Sequence, residues 1–123
     1  MFTRRCKLLT KQLLDQVKKT VVFLGTINEK GEILPQATGF LVNINDIFHL
    51  VTAKHVVFDR QKDVLNDSNI LTFYNTKDGK IQARSIQDMR DNINCNWIFH
   101  ENREVDIGII PFGIVPTDDV LFI

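Results

Sequence analysis

The sequence has little cysteine, little proline, only two serines and no net charge, and each shortage removes a class of explanation. Its two cysteines, Cys6 and Cys95, stand far apart and match no metal-ligand or thiol-redox spacing, so they supply no disulfide framework. They read as free thiols of a reducing compartment, which makes the cytoplasm the expected location, although an arginine-containing amphipathic start also suits an organelle-targeting segment. No apolar run is long enough for the core of a secretory signal or for a membrane span, and no membrane partner is expected. Glycine-rich phosphate loops and dinucleotide fingerprints are missing, and no cofactor is expected. The three histidines, His49, His55 and His100, lack the paired spacing of a metal site.

The composition is that of one soluble globular domain: 123 residues, 44% apolar and 24% charged, without repeats or low-complexity tracts. The zero net charge is unevenly spread. Residues 1–20 set Arg4, Arg5, Lys7, Lys11, Lys18 and Lys19 against Asp15 alone, a net +5. Without interleaved aromatic residues for base stacking, this cluster reads as the solvated face of a helix, and no nucleic-acid partner is expected.

Leu8, Leu9, Leu13, Leu14 and Val17 recur at helical spacing, so residues 7–19 are expected to form an amphipathic helix whose apolar stripe packs on the strands C-terminal to it. From Thr20 onward β-branched and aromatic residues dominate. Strands are expected over residues 20–27, 33–44, 47–53, 70–75, 81–86, 97–100 and 105–111. Turn chemistry separates them at Asn28-Glu29-Lys30-Gly31, Asn43-Ile44-Asn45-Asp46 and Lys77-Asp78-Gly79-Lys80, and polar loops fill residues 59–69 and 88–96. The apolar run at 47–53 suits a strand covered on both sides, and Pro35 confines the start of its strand to an edge. Trp97 and the phenylalanines are candidate core. Six or seven short strands at this spacing predict an all-β fold, an antiparallel β-barrel closed or nearly so, preceded by one helix.

Two residues carry the candidate chemistry. His55 comes just after the apolar run and, alone, is more simply a structural histidine. Asp106 is the unusual residue, because it interrupts the otherwise apolar Val105-Asp106-Ile107-Gly108-Ile109-Ile110. On a strand it would share a face with Gly108 and Ile110, and a carboxylate placed there needs hydrogen-bond donors. An imidazole N–H from His55, 51 residues earlier, is one such donor, and Gly108 leaves room beside the carboxylate. The contact would serve either acyl-transfer chemistry or a purely structural bond.

Thr52-Ala53-Lys54-His55-Val56 resembles the Thr-Ala-x-His signature around the general base of trypsin-like serine peptidases. The segment around Asp106 resembles that family's Asp-Ile-Ala-Leu-Leu strand. Thr38-Gly39-Phe40-Leu41-Val42 is similar to its strand just before the histidine, and residues 97–100 to the strand before the aspartate. The likeness spans about residues 20–115, and Val56, where secreted animal members carry a cysteine, places it nearer the bacterial, HtrA-like branch.

The resemblance implies a six-stranded trypsin-like barrel over residues 20–116 and an interdomain connector starting at residues 117–123. It implies His55 as general base, Asp106 as its orienting carboxylate and a polypeptide as substrate. The serines depart from the family: Ser68 and Ser85 lack the glycine neighbours of an exposed nucleophile. The expectation is therefore half of an endopeptidase, inactive alone, whose serine and oxyanion hole come from a separate C-terminal barrel. A non-catalytic barrel used for protein interaction is the alternative, and in it His55 and Asp106 need not meet.

Overall fold

Short polar turns set the register of the sheet. The computed structural model describes residues 10–12, 20–76 and 79–112. Strands β1 (Val21–Ile27) and β2 (Ile33–Ile44) are joined through Asn28, whose Oδ1 accepts from the backbone N–H of Lys30 and Glu32 at 3.0 and 2.9 Å. Gly31 closes that turn at φ +79°. Between β2 and β3 (Ile47–Thr52) only Asn45 and Asp46 intervene, both at positive φ, as a two-residue hairpin with the twist of its strands requires. Both turns fall where the polar residues predict them.

After β3 come a single helical turn, α1 (Lys54–Val57), and a small hairpin of β4 (Phe58–Asp59) with β5 (Val64–Leu65). Next are β6 (Leu71–Asn75), β7 (Ile81–Ser85), α2 (Ile86–Ile93), β8 (Ile98–Phe99) and β9 (Gly108–Pro111). Seven strands form one antiparallel sheet in the order β7-β6-β1-β2-β3-β9-β8. The fold is mostly β, as expected, but among the described residues no ladder joins β7 to β8, so the sheet is not closed into a barrel.

Side chains bridge the opening instead. Arg84 on β7 donates from Nη1 to the carbonyl of Phe112 at 3.0 Å, and Tyr74 on β6 meets the Phe112 ring edge-on at 5.4 Å. Phe112 is itself tied to β3 by its N–H, which donates to Phe48 O at 2.7 Å. One core results: Val22, Leu24, Leu41, Leu50 and Ile110 from the inner face of the sheet, Val57 from α1, Ile86 and Met89 from α2, with Trp97 and Phe112. Each fully buried aliphatic side chain contributes about 1.5–3 kcal/mol.

Gly25 permits the bend that shapes this sheet. The β1–β2 register shifts between Leu24 and Gly25, where Gly25 faces Pro35, and a Cβ at Gly25 would stand 2.2 Å from Leu34 O. Among the described residues, Ile33, Leu34, Pro35, Ala37 and Thr38 of β2 pair with β1 alone, so Pro35 sits where one side of the strand has no ladder.

Four expectations are corrected. Residues 86–93 are helix rather than strand end and loop: Ile86, Met89 and Ile93 lie three and four apart, Ser85 Oγ accepts from Asp88 N–H at 3.3 Å, and Asn94 closes the helix in the left-handed region. The stretch 59–69 contains β5 and a buried aspartate. Strand β9 begins only at Gly108, so Val105, Asp106 and Ile107 precede it. Finally, β3 is covered on one face, with Phe48, Leu50 and Thr52 buried and Ile47 exposed. Its outer face joins a row of successive cross-strand partners, Val21, Phe40, Val51, Ile109 and Ile98, which are half-buried or exposed. Of the helix expected over residues 7–19, only 10–12 are described, and they are helical. The tail at residues 117–123 lies outside the described residues. Among those described, no helix is long and apolar enough to cross a membrane.

Asp67 ties the loop to α2 and β8. Only 2% exposed, it accepts from Arg90 Nη2 at 2.9 Å and from the indole N–H of Trp97 at 2.8 Å. Removing it strands a largely buried guanidinium and an indole donor, so Asp67→Ala is expected to lower the unfolding free energy in urea by about 3–5 kcal/mol. A loss below about 1 kcal/mol would mean that the pair is solvated in solution.

Candidate active site

The site grows out of the end of β3. Thr52 Oγ1 donates to Thr38 O at 2.8 Å, fixing the last residue of β3 against β2, and buried Val57 anchors the adjoining helical turn. Ala53 stands at the N-cap of α1 and offers no side-chain acceptor, so the first-turn N–H groups need one from elsewhere. It comes from Asp106, 51 residues on, whose Oδ1 accepts the backbone N–H of His55 at 2.8 Å.

The other carboxylate oxygen, Oδ2, is hydrogen-bonded to Nδ1 of the same histidine. One side chain thus caps the helix and grips the ring of the residue that it caps. An ionised carboxylate only accepts, so Nδ1 carries the proton and, in the neutral ring, Nε2 keeps its lone pair. The His55 side chain is 69% exposed, and Nε2 has no hydrogen-bond partner among the described residues. That is the state a general base requires: oriented from behind, basic in front and reachable.

Asp106 sits in the turn between β8 and β9, which is built on local acceptors. Asn102 N–H donates to His100 Nδ1 and Glu104 N–H to Asn102 Oδ1, each at 3.0 Å, while Val105 N–H donates to Asn102 O at 3.0 Å. The carboxylate is 38% exposed, not enclosed as a strand position would make it. Its pKa lies below the ordinary carboxylate value. The hydrogen bond from the His55 side chain is the main cause, partial burial opposes it, and the His55 backbone N–H and the charges of His55 and Arg60 add to the lowering.

Aromatic contacts hold the two halves of the pair in place. Lys54 Nζ lies 4.7 Å from the Phe58 ring centroid and 4.8 Å from that of Phe99. The Phe99 ring stacks on Trp97 at an interplanar angle of 3°. A Cβ at Gly108 would meet Phe99 at 3.0 Å and Trp97 at 3.2 Å, so this glycine makes room for those rings rather than for the Asp106 carboxylate. Lys54 links α1 to β8 in this way, a role not evident in a sequence where it is merely the residue before the histidine.

The other candidate residues have partners of their own. His49 Nδ1 is hydrogen-bonded to Ile47 O at 2.8 Å, and His100 accepts within its own turn. Among the described residues no three His, Cys, Asp or Glu side chains group as metal ligands. Ser85 caps α2, and the Cys95 thiol points to Ile93 O at 3.6 Å.

The lowered pKa of Asp106 has a thermodynamic sign. Its contribution to stability is fully present above the unfolded carboxylate value of about 4 and disappears as pH falls through the lower folded value. Its size is modest because the group is more than a third exposed. In a carboxyl-carbon NMR titration, Asp106 is expected to titrate below the ordinary range, and His55→Ala to move it upward. An unmoved titration would detach the carboxylate from the ring. Comparisons of the chain with protein-family models, with curated proteins and with solved structures find no match, and the chemistry of the pair is therefore read from its own geometry.

Proposed function

We propose that this chain is the base-presenting half of a trypsin-like serine endopeptidase. His55 serves as general base and then general acid, Asp106 orients it, and the attacking serine belongs to a C-terminal barrel beyond Ile123. The observation that carries this reading is the double grip of Asp106 on His55, whose side chain is exposed and whose Nε2 has no hydrogen-bond partner among the described residues.

In the proposed reaction Nε2 takes the proton of the serine hydroxyl as its oxygen attacks the peptide carbonyl. Asp106 stabilises the imidazolium that forms, without itself becoming protonated. The same proton passes to the departing amine, and water hydrolyses the acyl-enzyme by the reverse proton path. On this reading β1, β2, β3, β6, β7 and β9 are the six strands of the family barrel. Contact between Arg84 and Phe112 across the opening supports that assignment. A free Cys95 thiol suits a cytoplasmic setting.

Fluorophosphonate labelling tests the reading. A polypeptide that extends past Ile123 with a Gly-x-Ser-Gly-like segment is expected to label. His55→Ala and Asp106→Asn should each slow its labelling by about 10⁴-fold or more. Labelling that survives His55→Ala removes the histidine from the mechanism. In this chain alone, nitrogen NMR is expected to find the proton on Nδ1 of neutral His55, and Asp106→Ala to release that preference.

A further inference from the structure

A second feature adjoins the pair and shares Lys54 and Arg60 with its surroundings. Lys54, Phe58, Arg60, Asp63 and Arg103 line a cleft of 290 Å³. Three of these five side chains are cationic and one is a carboxylate, and among the described residues none of the four charged groups forms an ion pair. Arg60 donates from Nη2 to the carbonyl of Arg103, which fixes its guanidinium at the cleft wall without an ion pair, its charge reaching the Asp106 carboxylate only at longer range. Lys54 is held over the Phe58 and Phe99 rings, an attraction that likewise leaves the ammonium charge in place.

Unpaired cations around a concavity focus a positive potential there, and a carboxylate is the simplest group to complement it. The volume lies at the lower end of the range for small-molecule sites, about 300–1,000 Å³, and suits a side chain better than a nucleotide. Position adds the second constraint. Lys54 immediately precedes His55, and the charge of Arg60 is felt at Asp106, so the cleft opens alongside the pair. An extended polypeptide advancing about 3.3 Å per residue would pass from one to the other within a few residues.

We propose that this cleft receives an aspartate or glutamate side chain of the polypeptide laid across His55, giving the site a preference for acidic residues next to the bond it acts on. The substrate role rests on the peptidase reading, whereas the binding preference can be measured without it. The assay is an NMR titration of the labelled chain with the blocked tetrapeptides Ala-Glu-Glu-Ala and Ala-Lys-Lys-Ala. The acidic peptide is expected to bind, to shift the Arg60 and Arg103 side-chain resonances and to weaken with added salt. The basic peptide should do none of these.

Arg60→Gln combined with Arg103→Gln should weaken the acidic peptide about five- to tenfold, the equivalent of two exposed charge pairs. Asp63→Asn, which removes the one carboxylate of the lining, should tighten it. All three side chains are exposed, so folding is not at stake. Equal binding of the two peptides, or unchanged affinity in the double variant, overturns the inference. So does a short single-stranded RNA that displaces the acidic peptide and binds more tightly. A negative outcome here would leave the labelling result untouched, and labelling that survives His55→Ala would leave the measured peptide preference standing.

Discussion

The candidate site depends on one carboxylate accepting two hydrogen bonds from one residue. Asp106 takes the backbone N–H of His55 with one oxygen and the ring with the other. The first bond replaces a missing cap on a helical turn too short to be stable by itself. The second fixes the ring relative to that turn. Neither would hold without the elements behind them, the Thr52–Thr38 bond and Val57 on one side, the acceptors of residues 100–105 on the other.

The open sheet is compatible with this demand because the two strands that carry the pair are laddered directly to each other. His55 and Asp106 stand at the ends of β3 and β9, two adjacent inner strands of the ladder, while the unclosed edges are β7 and β8. Covering the opening falls to α2, Trp97, Phe112 and the Asp67–Arg90 pair. A buried ion pair is weak evidence for stability, but Asp67 also accepts from Trp97, and it thereby sets where the Trp97 and Phe99 rings stand. The Phe99 ring then receives Lys54.

Legibility in the sequence followed how local the deciding interaction was. The hairpin turns were readable because Asn28, Gly31, Asn45 and Asp46 act within their own few residues. The contact of His55 with Asp106 was readable because a carboxylate among apolar residues requires a donor, although the expected setting was wrong: Asp106 lies ahead of β9, in a turn. Helix α2 was missed because its three apolar residues are diluted by polar ones, yet their spacing and Ser85 were signals that could have found it. Asp67 had no such signal. Nothing near it in the chain separates it from Asp59 or Asp63, because its partners are 23 and 30 residues away. The cationic cleft was hidden for the same reason, since Arg60 and Arg103 meet across 43 residues.

The outer row of Val21, Phe40, Val51, Ile109 and Ile98 has a consequence for how the chain finds its register. Sheets usually police their pairing by hydrophobicity, because a one-residue slip turns the oily face to water. Here the two faces of β3 are both largely apolar, and a slipped β3 would offer Ile47 and Val51 to the core almost as readily as Phe48 and Leu50. Discrimination for β3 must therefore come from elsewhere, from the two positive-φ residues at Asn45 and Asp46 that shape its hairpin with β2, while the close approach at Gly25 does the same for β1 against β2. In this sheet the proofreading of strand alignment is done by backbone shape, with solvent as a weak judge.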